Sequence, residues 1–251
     1  MTSDRATLAA AVDDGDLIPG RQGPVASRLF RVVAGRLSRR SFHAIRATPG
    51  SVAGLRDHAG RPAPVICCLT HSSWWDPIVG FLLHGAYLRG RAGCAPIDRD
   101  VLEQVRFFRR LGLFGIDPDS PASRRAMQAY VAERFGADER PTLWITPQGR
   151  LQDPRTPMVV RPGVAAIAAG SPGAAGLVVA IEYPFWDDKK PEVLMHGAAV
   201  ETPARRDSTV AWHRSISGAM ERTASELAER SAARDPAGFE VGLHRESSST
   251  H

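Results

Sequence analysis

A histidine and an aspartate follow an apolar segment in the first half of the chain. His71 and Asp76 come directly after Val65–Thr70, a run that is typical of a buried strand. Because α/β folds place chemistry where strands end, the two side chains are candidates for a site. A neutral imidazole that a carboxylate orients can take a proton from a hydroxyl group near neutral pH. Asp76 would fix the imidazole tautomer and stabilise the imidazolium as it forms.

The pair lacks a nucleophile of the Gly-x-Ser-x-Gly type. We therefore expect His71 to activate the hydroxyl of a substrate rather than one of the protein's own. A second interpretation stays open, in which Asp76 caps a first helical turn beside a structural histidine, since a short motif does not separate the two. His84, in the helix that follows, is expected to be structural rather than a second base.

The residues around this pair resemble the first motif of the H-x-x-x-x-D glycerolipid acyltransferase family, the lysophosphatidic acid acyltransferase type. That motif reads Asn-His-x-Ser-x-x-Asp; His71, Ser73 and Asp76 match it, and Thr70 stands in place of the Asn. The resemblance covers about residues 60–200, with three further blocks in the family's order. It implies that an acceptor hydroxyl attacks an acyl thioester of coenzyme A or acyl carrier protein directly. His71 would be the general base and would later protonate the leaving thiolate.

The second block resembles Gly-x-Phe-x-x-Asp-Arg. It contains Gly112, Phe114 and Asp117, but Pro118 replaces the final arginine. The resemblance implies that these residues help to form the substrate site. In the family that this block resembles, the arginine at this position lines the phosphate site.

The third block resembles Phe-Pro-Glu-Gly-Thr-Arg, and the chain has Pro147, Gln148 and Gly149 there, followed by Arg150 or Arg155 as the basic residue. The resemblance implies that backbone N–H groups around 147–149 stabilise an oxyanion and that the arginines bind an acceptor phosphate. A solvated loop is the alternative for both arginines. Because glutamine keeps the shape of glutamate without its charge, we expect a glycolipid or plain glycerol acceptor rather than lysophosphatidic acid.

Length and composition are those of one globular α/β domain. The chain has 251 residues, 43% apolar and 24% charged. No stretch approaches the roughly 20 apolar residues that span a bilayer, and the first residues lack a signal-peptide core. Three cysteines give no disulfide framework, which favours a reduced, cytoplasmic protein. Its net charge is +5, but the arginines do not interleave with aromatic residues, so no nucleic-acid partner is expected. No metal-ligand spacing occurs, and no cofactor beyond the acyl thioester is expected.

Charge and periodicity divide the chain into four parts. Residues 1–24 are expected to be a mobile tail, 25–46 a basic amphipathic helix, 47–240 the acyltransferase domain, and 241–251 a disordered tail. Leu29, Phe30, Val33 and Leu37 form one stripe of the helix, and Arg28, Arg31, Arg39 and Arg46 lie on the other side. Such a helix either lies in a membrane interface or docks on the protein's own core, and periodicity does not decide between them.

The domain alternates between strands and helices. Strands are expected at 63–70, 92–97, 114–117, 143–146, 177–183 and 192–200, and helices at 75–89, 98–111, 121–135, 162–169 and 207–232. This order predicts a single α/β domain with a mixed central sheet flanked by helices, similar to the glycerolipid acyltransferases. The fourth block is the expected strand Leu177–Tyr183, which leads to Pro184.

The resemblance implies an O-acyltransferase that moves a fatty acyl group from an acyl thioester to a hydroxyl of a lysophospholipid, glycolipid or related acceptor. We expect it on the inner face of the cell membrane, as a peripheral protein. Two alternatives stay open: a non-catalytic lipid-binding protein of the same fold, and a thioester hydrolase in which His71 activates water.

Overall fold

A computed structural model describes residues 8–12 and 14–241. Residues 8–12 are helical. The strands are β1 (Leu17–Ile18), β2 (Ile45–Ala47), β3 (Val65–Leu69), β4 (Ala92–Asp98), β5 (Leu113–Ile116), β6 (Pro141–Ile145), β7 (Ala175–Glu182), β8 (Val193–Ala199) and β9 (Glu240–Val241).

The helices are α1 (Pro24–Ser41), α2 (Pro49–Ala59), α3 (Asp76–Tyr87), α4 (Arg99–Gln104), α5 (Pro121–Ala137), α6 (Gly163–Ala169) and α7 (Thr209–Ala233). Short 3₁₀ helices lie at Arg106–Leu111 and Pro236–Gly238. The expected α/β class with a mixed sheet is confirmed.

The sheet has the strand order β1-β5-β4-β6-β3-β7-β8-β2-β9. The central strands β5, β4, β6, β3 and β7 are parallel to their neighbours, whereas β8 runs antiparallel to β7. The carboxyl ends of the central strands therefore share one edge of the sheet. The chain that leaves β3 lies there between the ends of β6 and β7, which is where parallel α/β sheets bind their ligands.

Helices cover both faces of the sheet, and this explains why β3 is apolar at every position. Ile66 and Cys68 pack in a core cluster with residues of α5, α6 and α7. Val65, Cys67 and Leu69 point the other way, into a cluster with residues of α2 and α3. Because successive side chains of a strand alternate between faces, a strand buried on both sides has no polar position.

The amino-terminal segment differs from the expected mobile tail. Residues 14–23 are bound to the domain: β1 pairs antiparallel with β5, and Leu17 is buried. The Gly20 N–H donates to the hydroxyl of Tyr130 at 3.2 Å. Residues 1–7 and 13, and the expected disordered tail beyond Val241, lie outside the described residues.

The first helix is shorter than the expected span 25–46. It starts at Pro24, whose fixed φ suits a first helical turn, and ends at Ser41, because Phe42 is extended. Arg46 does not lie on the helix; it is buried in β2, and its Nε is 3.1 Å from Glu192 Oε2. The helix α2 and the strands β1, β2 and β9 had no counterpart among the sequence expectations.

Helix α1 contacts the domain through Phe30 and through small residues. The Phe30 ring lies 5.0 Å from that of Phe81, edge to face, and Ala34, Gly35 and Ser38 are buried. The expected apolar stripe therefore does not face the core as one unit. Its other members, together with neighbouring apolar residues, are exposed: Val25, Leu29, Val32, Val33 and Leu37.

Candidate active site

The turn between β3 and α3 brings His71 and Asp76 together. His71 Nδ1 lies 3.0 Å from Asp76 Oδ2. The same oxygen accepts hydrogen bonds from the backbone N–H groups of Ser72 and Ser73, both at 2.8 Å. Asp76 is completely buried at the start of α3. These N–H groups lie in the turn before α3, and the Asp76 side chain caps no turn of that helix, so its contacts support the interpretation in which Asp76 orients the histidine.

The other ring nitrogen of His71 is available for chemistry. A carboxylate is only an acceptor, so Nδ1 must carry a proton to donate to Asp76, and in the neutral ring Nε2 then has a free lone pair. Nε2 makes no hydrogen bond to any described residue, and the side chain is 18% exposed. The geometry is that of a general base held in one tautomer.

Tyr183 is a third member of this arrangement that the sequence did not reveal as such. Its hydroxyl donates to Asp76 Oδ1 at 2.6 Å. Burial raises the pKa of Tyr183 well above its usual value, and the negative charge of Asp76 raises that pKa further. The phenol stays protonated and remains a donor. Tyr183 was noted only as the end of the fourth block, and the strand order that places β7 beside β3 was needed to find its role.

Gln148 fixes the His71 loop from the side of β6. The His71 backbone N–H donates to Gln148 Oε1 at 2.6 Å, and Gln148 Nε2 donates to Gln152 Oε1 at 2.7 Å. Gln152 N–H in turn donates to the His71 carbonyl at 2.8 Å. Gln148 is buried, and both ends of its amide are used within the protein. Gln148 therefore helps to position the His71 loop through both ends of its side-chain amide.

The turn at 146–149 uses one of the backbone N–H groups that the third block suggested as oxyanion donors. Pro147 has no N–H, and the Gly149 N–H already donates to the Thr146 carbonyl at 3.0 Å. Gly149 has a φ of +70°, which favours glycine. A Cβ atom there would lie 2.8 Å from Arg161 Nε. The structure thus assigns Gly149 to the turn itself.

The structure does not bring the second block to His71. Gly112 precedes β5 at the opposite, amino edge of the sheet, and Phe114 is completely buried against Tyr130, with ring centres 4.7 Å apart. Asp117 follows β5 at the correct edge, but β4 and β6 lie between β5 and β3. Its carboxylate accepts from the N–H groups of Asp119 and Ser120. Asp117 lines a separate cleft of about 150 Å³.

The basic residues of the third block lie on the surface. Arg150 is exposed, and Arg155 makes a bidentate pair with Asp153, at 2.9 Å and 2.6 Å. Arg161, which the sequence did not single out, connects the second and third blocks. Its backbone N–H donates to the Pro147 carbonyl, and its Nη1 lies 3.0 Å from the Pro118 carbonyl. Arg161 thus has a structural role.

Aromatic side chains connect the site with the end of α1. Phe42 packs edge to face on Trp75 at 4.7 Å and stacks on Tyr183 at 5.7 Å between ring centres. Trp74 stacks on Trp75 at 4.4 Å and is exposed. Ser73 Oγ accepts from the Trp75 N–H at 3.2 Å, which gives Ser73 a role in this turn.

His71 lines a cleft of about 320 Å³ between the carboxyl ends of β3 and β7, the 152–158 loop and α7. Apolar side chains, including Met158, Ala180 and Leu227, form one part of its wall. Glu182, at the end of β7, and Glu221, on α7, bring carboxylates to it. Among the described residues, those that line the cleft include no arginine or lysine.

The cysteines are not nucleophiles. All three are buried and free, and burial raises the pKa of Cys68 and of Cys94 to about 12. Within residues 8–12 and 14–241, no group of three His, Cys, Asp or Glu side chains is placed to hold a metal ion.

No family model matches the sequence, and no curated protein matches it. Of the helices in the described part of the chain, none combines the length and the apolar character that crossing a bilayer requires.

Proposed function

We propose that the protein is an O-acyltransferase that moves a fatty acyl group from an acyl thioester to a hydroxyl of a lipid acceptor. One observation carries the proposal: a buried carboxylate orients His71, which lines a cleft, while its Nε2 makes no hydrogen bond to a nucleophilic side chain among the described residues. Among the described residues, no serine, threonine or cysteine side chain hydrogen-bonds to the His71 ring. The base is therefore suited to a hydroxyl that arrives with the substrate.

In the proposed reaction His71 Nε2 takes the proton of the acceptor hydroxyl as its oxygen attacks the thioester carbonyl carbon. Asp76 stabilises the imidazolium, and the Tyr183 hydroxyl together with the two backbone N–H groups holds the carboxylate in place. When the tetrahedral intermediate collapses, the C–S bond breaks and His71 gives its proton to the thiolate. The products are the ester and the free thiol of coenzyme A or acyl carrier protein.

Thiol release separates this function from its two alternatives. The protein is incubated with palmitoyl-CoA, with and without a panel of lysophospholipids and glycolipids, and free thiol and ester are both measured. A transferase releases thiol and forms ester only when an acceptor is present. Release without acceptor would identify a thioester hydrolase, and no release under any of these conditions would favour a lipid-binding protein of this fold.

We further propose that α1 holds the protein on the inner face of the cell membrane. Its exposed apolar residues Leu29, Val33 and Leu37 are accompanied by exposed arginines, Arg28, Arg36, Arg39 and Arg40. Apolar side chains enter the membrane interface, and the neighbouring arginines attract anionic lipid. The end of this helix contacts the site through Phe42, so a membrane-bound α1 would bring His71 close to lipid substrates.

The membrane proposal predicts that Leu29→Ser with Leu37→Ser weakens binding to vesicles of phosphatidylglycerol by at least about tenfold. Each leucine that becomes buried in the membrane contributes on the order of 1.5–3 kcal/mol to binding. Because Leu29 and Leu37 are 60% and 40% exposed in the protein, the fold should survive their replacement. Vesicle co-sedimentation measures the effect. Val210→Ser on α7, where the valine is 70% exposed, is the matched control and should bind as wild type does. Unchanged binding of the double variant would contradict the proposal.

A further inference from the structure

The cleft beside His71 has a charge pattern that bears on the acceptor. Glu182 lies half-buried at the end of β7, and Glu221 lies on the facing helix α7. Neither carboxylate makes a hydrogen bond or an ion pair with another described residue. Two carboxylates without partners in a cleft that also holds the candidate base are available to a ligand.

This pattern disfavours a phosphate group and favours hydroxyl groups. A phosphate monoester carries about two negative charges and is bound by arginine, lysine or backbone N–H groups. Beside two glutamates it would meet like charges, which disfavour its binding. A carboxylate accepts hydrogen bonds and suits a ligand that has several O–H donors on neighbouring carbons.

The position of Glu182 relative to His71 suits the binding of a polyol head group. Ala180 and Glu182 alternate with Ile181 along β7, so Glu182 lies on the face of the sheet that α7 covers. Asp76 binds Nδ1 of His71 and accepts a hydrogen bond from Tyr183, which packs against the core cluster on the other face of the sheet. His71 therefore stands between the two faces. A head group bound to the glutamates would present a further hydroxyl to its free nitrogen.

We infer that the acyl acceptor is a lipid with an uncharged polyol head group, a sugar or glycerol, whose hydroxyls bind Glu182 and Glu221 in the cleft beside His71. This inference rests on the proposed acyl transfer. The two glutamates select neutral hydroxyl-bearing head groups and repel phosphate monoesters.

Acceptor specificity and direct binding together test the inference. With palmitoyl-CoA as donor, dodecyl β-glucoside, 1-monoacylglycerol and lysophosphatidic acid are compared as acceptors by kcat/KM. We expect both neutral acceptors to exceed lysophosphatidic acid, and the better of the two distinguishes sugar from glycerol. Lysophosphatidic acid as the best acceptor would overturn the inference and leave acyl transfer intact.

Carboxamide variants test the residues themselves. Glu182→Gln and Glu221→Gln should each lower kcat/KM for the preferred neutral acceptor about tenfold, the loss typical of a hydrogen bond to a charged group. The double variant should accept lysophosphatidic acid severalfold better than wild type does. Glu229→Gln, on α7 but outside the cleft, is the matched control and should behave as wild type does. Unchanged specificity in the double variant would overturn the inference.

A binding measurement keeps the inference separate from the proposed reaction. Calorimetric titration of dodecyl β-glucoside and of 1-monoacylglycerol into His71→Ala protein requires no turnover. Tighter binding to His71→Ala protein than to the variant that also carries Glu182→Gln and Glu221→Gln supports the polyol site, even if no acyl transfer is found. Equal affinity of the two proteins for both probes would overturn it.

Discussion

Two histidines at the two ends of α3 are used in different ways. His84, near the helix end, accepts a hydrogen bond from Trp144 Nε1 at its Nδ1, at 3.0 Å, and donates from Nε2 to the Arg91 carbonyl at 3.1 Å. His71, just before the helix start, has one ring nitrogen on Asp76 and the other free. A ring with both nitrogens satisfied inside the protein has no capacity left for a substrate, whereas His71 keeps one acceptor exposed to a cleft.

The surroundings of His84 strengthen this contrast. Arg91, whose carbonyl binds His84, sends its buried guanidinium to Thr142 Oγ1 at 2.8 Å and to the carbonyls of Ala63 and Pro141 at 2.8 Å and 2.7 Å. Burial lowers the pKa of His84 to about 4, so this ring stays neutral as a structural group. The two hydrogen bonds of its ring agree with the expectation that His84 is structural. The comparison shows that the partners of both ring nitrogens, rather than proximity to a strand end, identify a histidine that can act as a base.

The largest expected effect comes from removal of the free nitrogen. His71→Ala should lower the rate of acyl transfer about 100- to 10,000-fold and leave the fold intact, because it removes the general base while Asp76 keeps its two backbone donors and the Tyr183 hydroxyl. Steady-state kinetics with circular dichroism measures both. His84→Gln is the matched control, since its amide can replace both hydrogen bonds and it should keep the wild-type rate. Near-normal turnover in folded His71→Ala protein would contradict the assignment of the base.

The next prediction concerns the part of the pH dependence of stability that arises from His84. Its pKa falls from 6.5 to about 4 on folding, so between these values the unfolded chain binds a proton that the folded protein excludes. Stability is therefore retained above pH 6.5 and is lost as the pH falls to 4, by about 3 kcal/mol. His84→Gln should lack this part of the acid sensitivity. Urea unfolding at several pH values compares the two proteins, and parallel pH curves would show that His84 does not carry the effect.

The sequence could predict the part of the site that is local in the chain. His71 and Asp76 lie on one strand-to-helix turn, so their spacing already implied contact. Tyr183 and Gln148 reach the same turn from β7 and β6, and nothing in the sequence states that these strands flank β3. Their roles therefore required the strand order.

Motif matching also grouped residues that the structure separates. Gly112 and Phe114 both match the second motif in sequence. In the structure Gly112 lies at the edge of the sheet opposite to His71, and Phe114 lies in the core. Arg46 completed a helical charge pattern, but tertiary pairing with Glu192 holds it in a strand. In each case packing at long range decided between structures that the local pattern allowed. The α/β class was predictable because strand and helix periodicities repeat along the whole chain.

The smallest expected effect sharpens the comparison at the carboxylate. Tyr183→Phe leaves the buried Asp76 Oδ1 without its hydroxyl donor but keeps the ring that stacks on Phe42. We expect kcat to fall about tenfold, in line with the loss of one hydrogen bond to a charged group, and KM for the acyl donor to stay unchanged. Tyr130→Phe, which removes a hydroxyl bonded to Gly20 far from the site, is the matched control. A kcat in the Tyr183 variant that matches this control would show that the hydroxyl supports only the packing of the site.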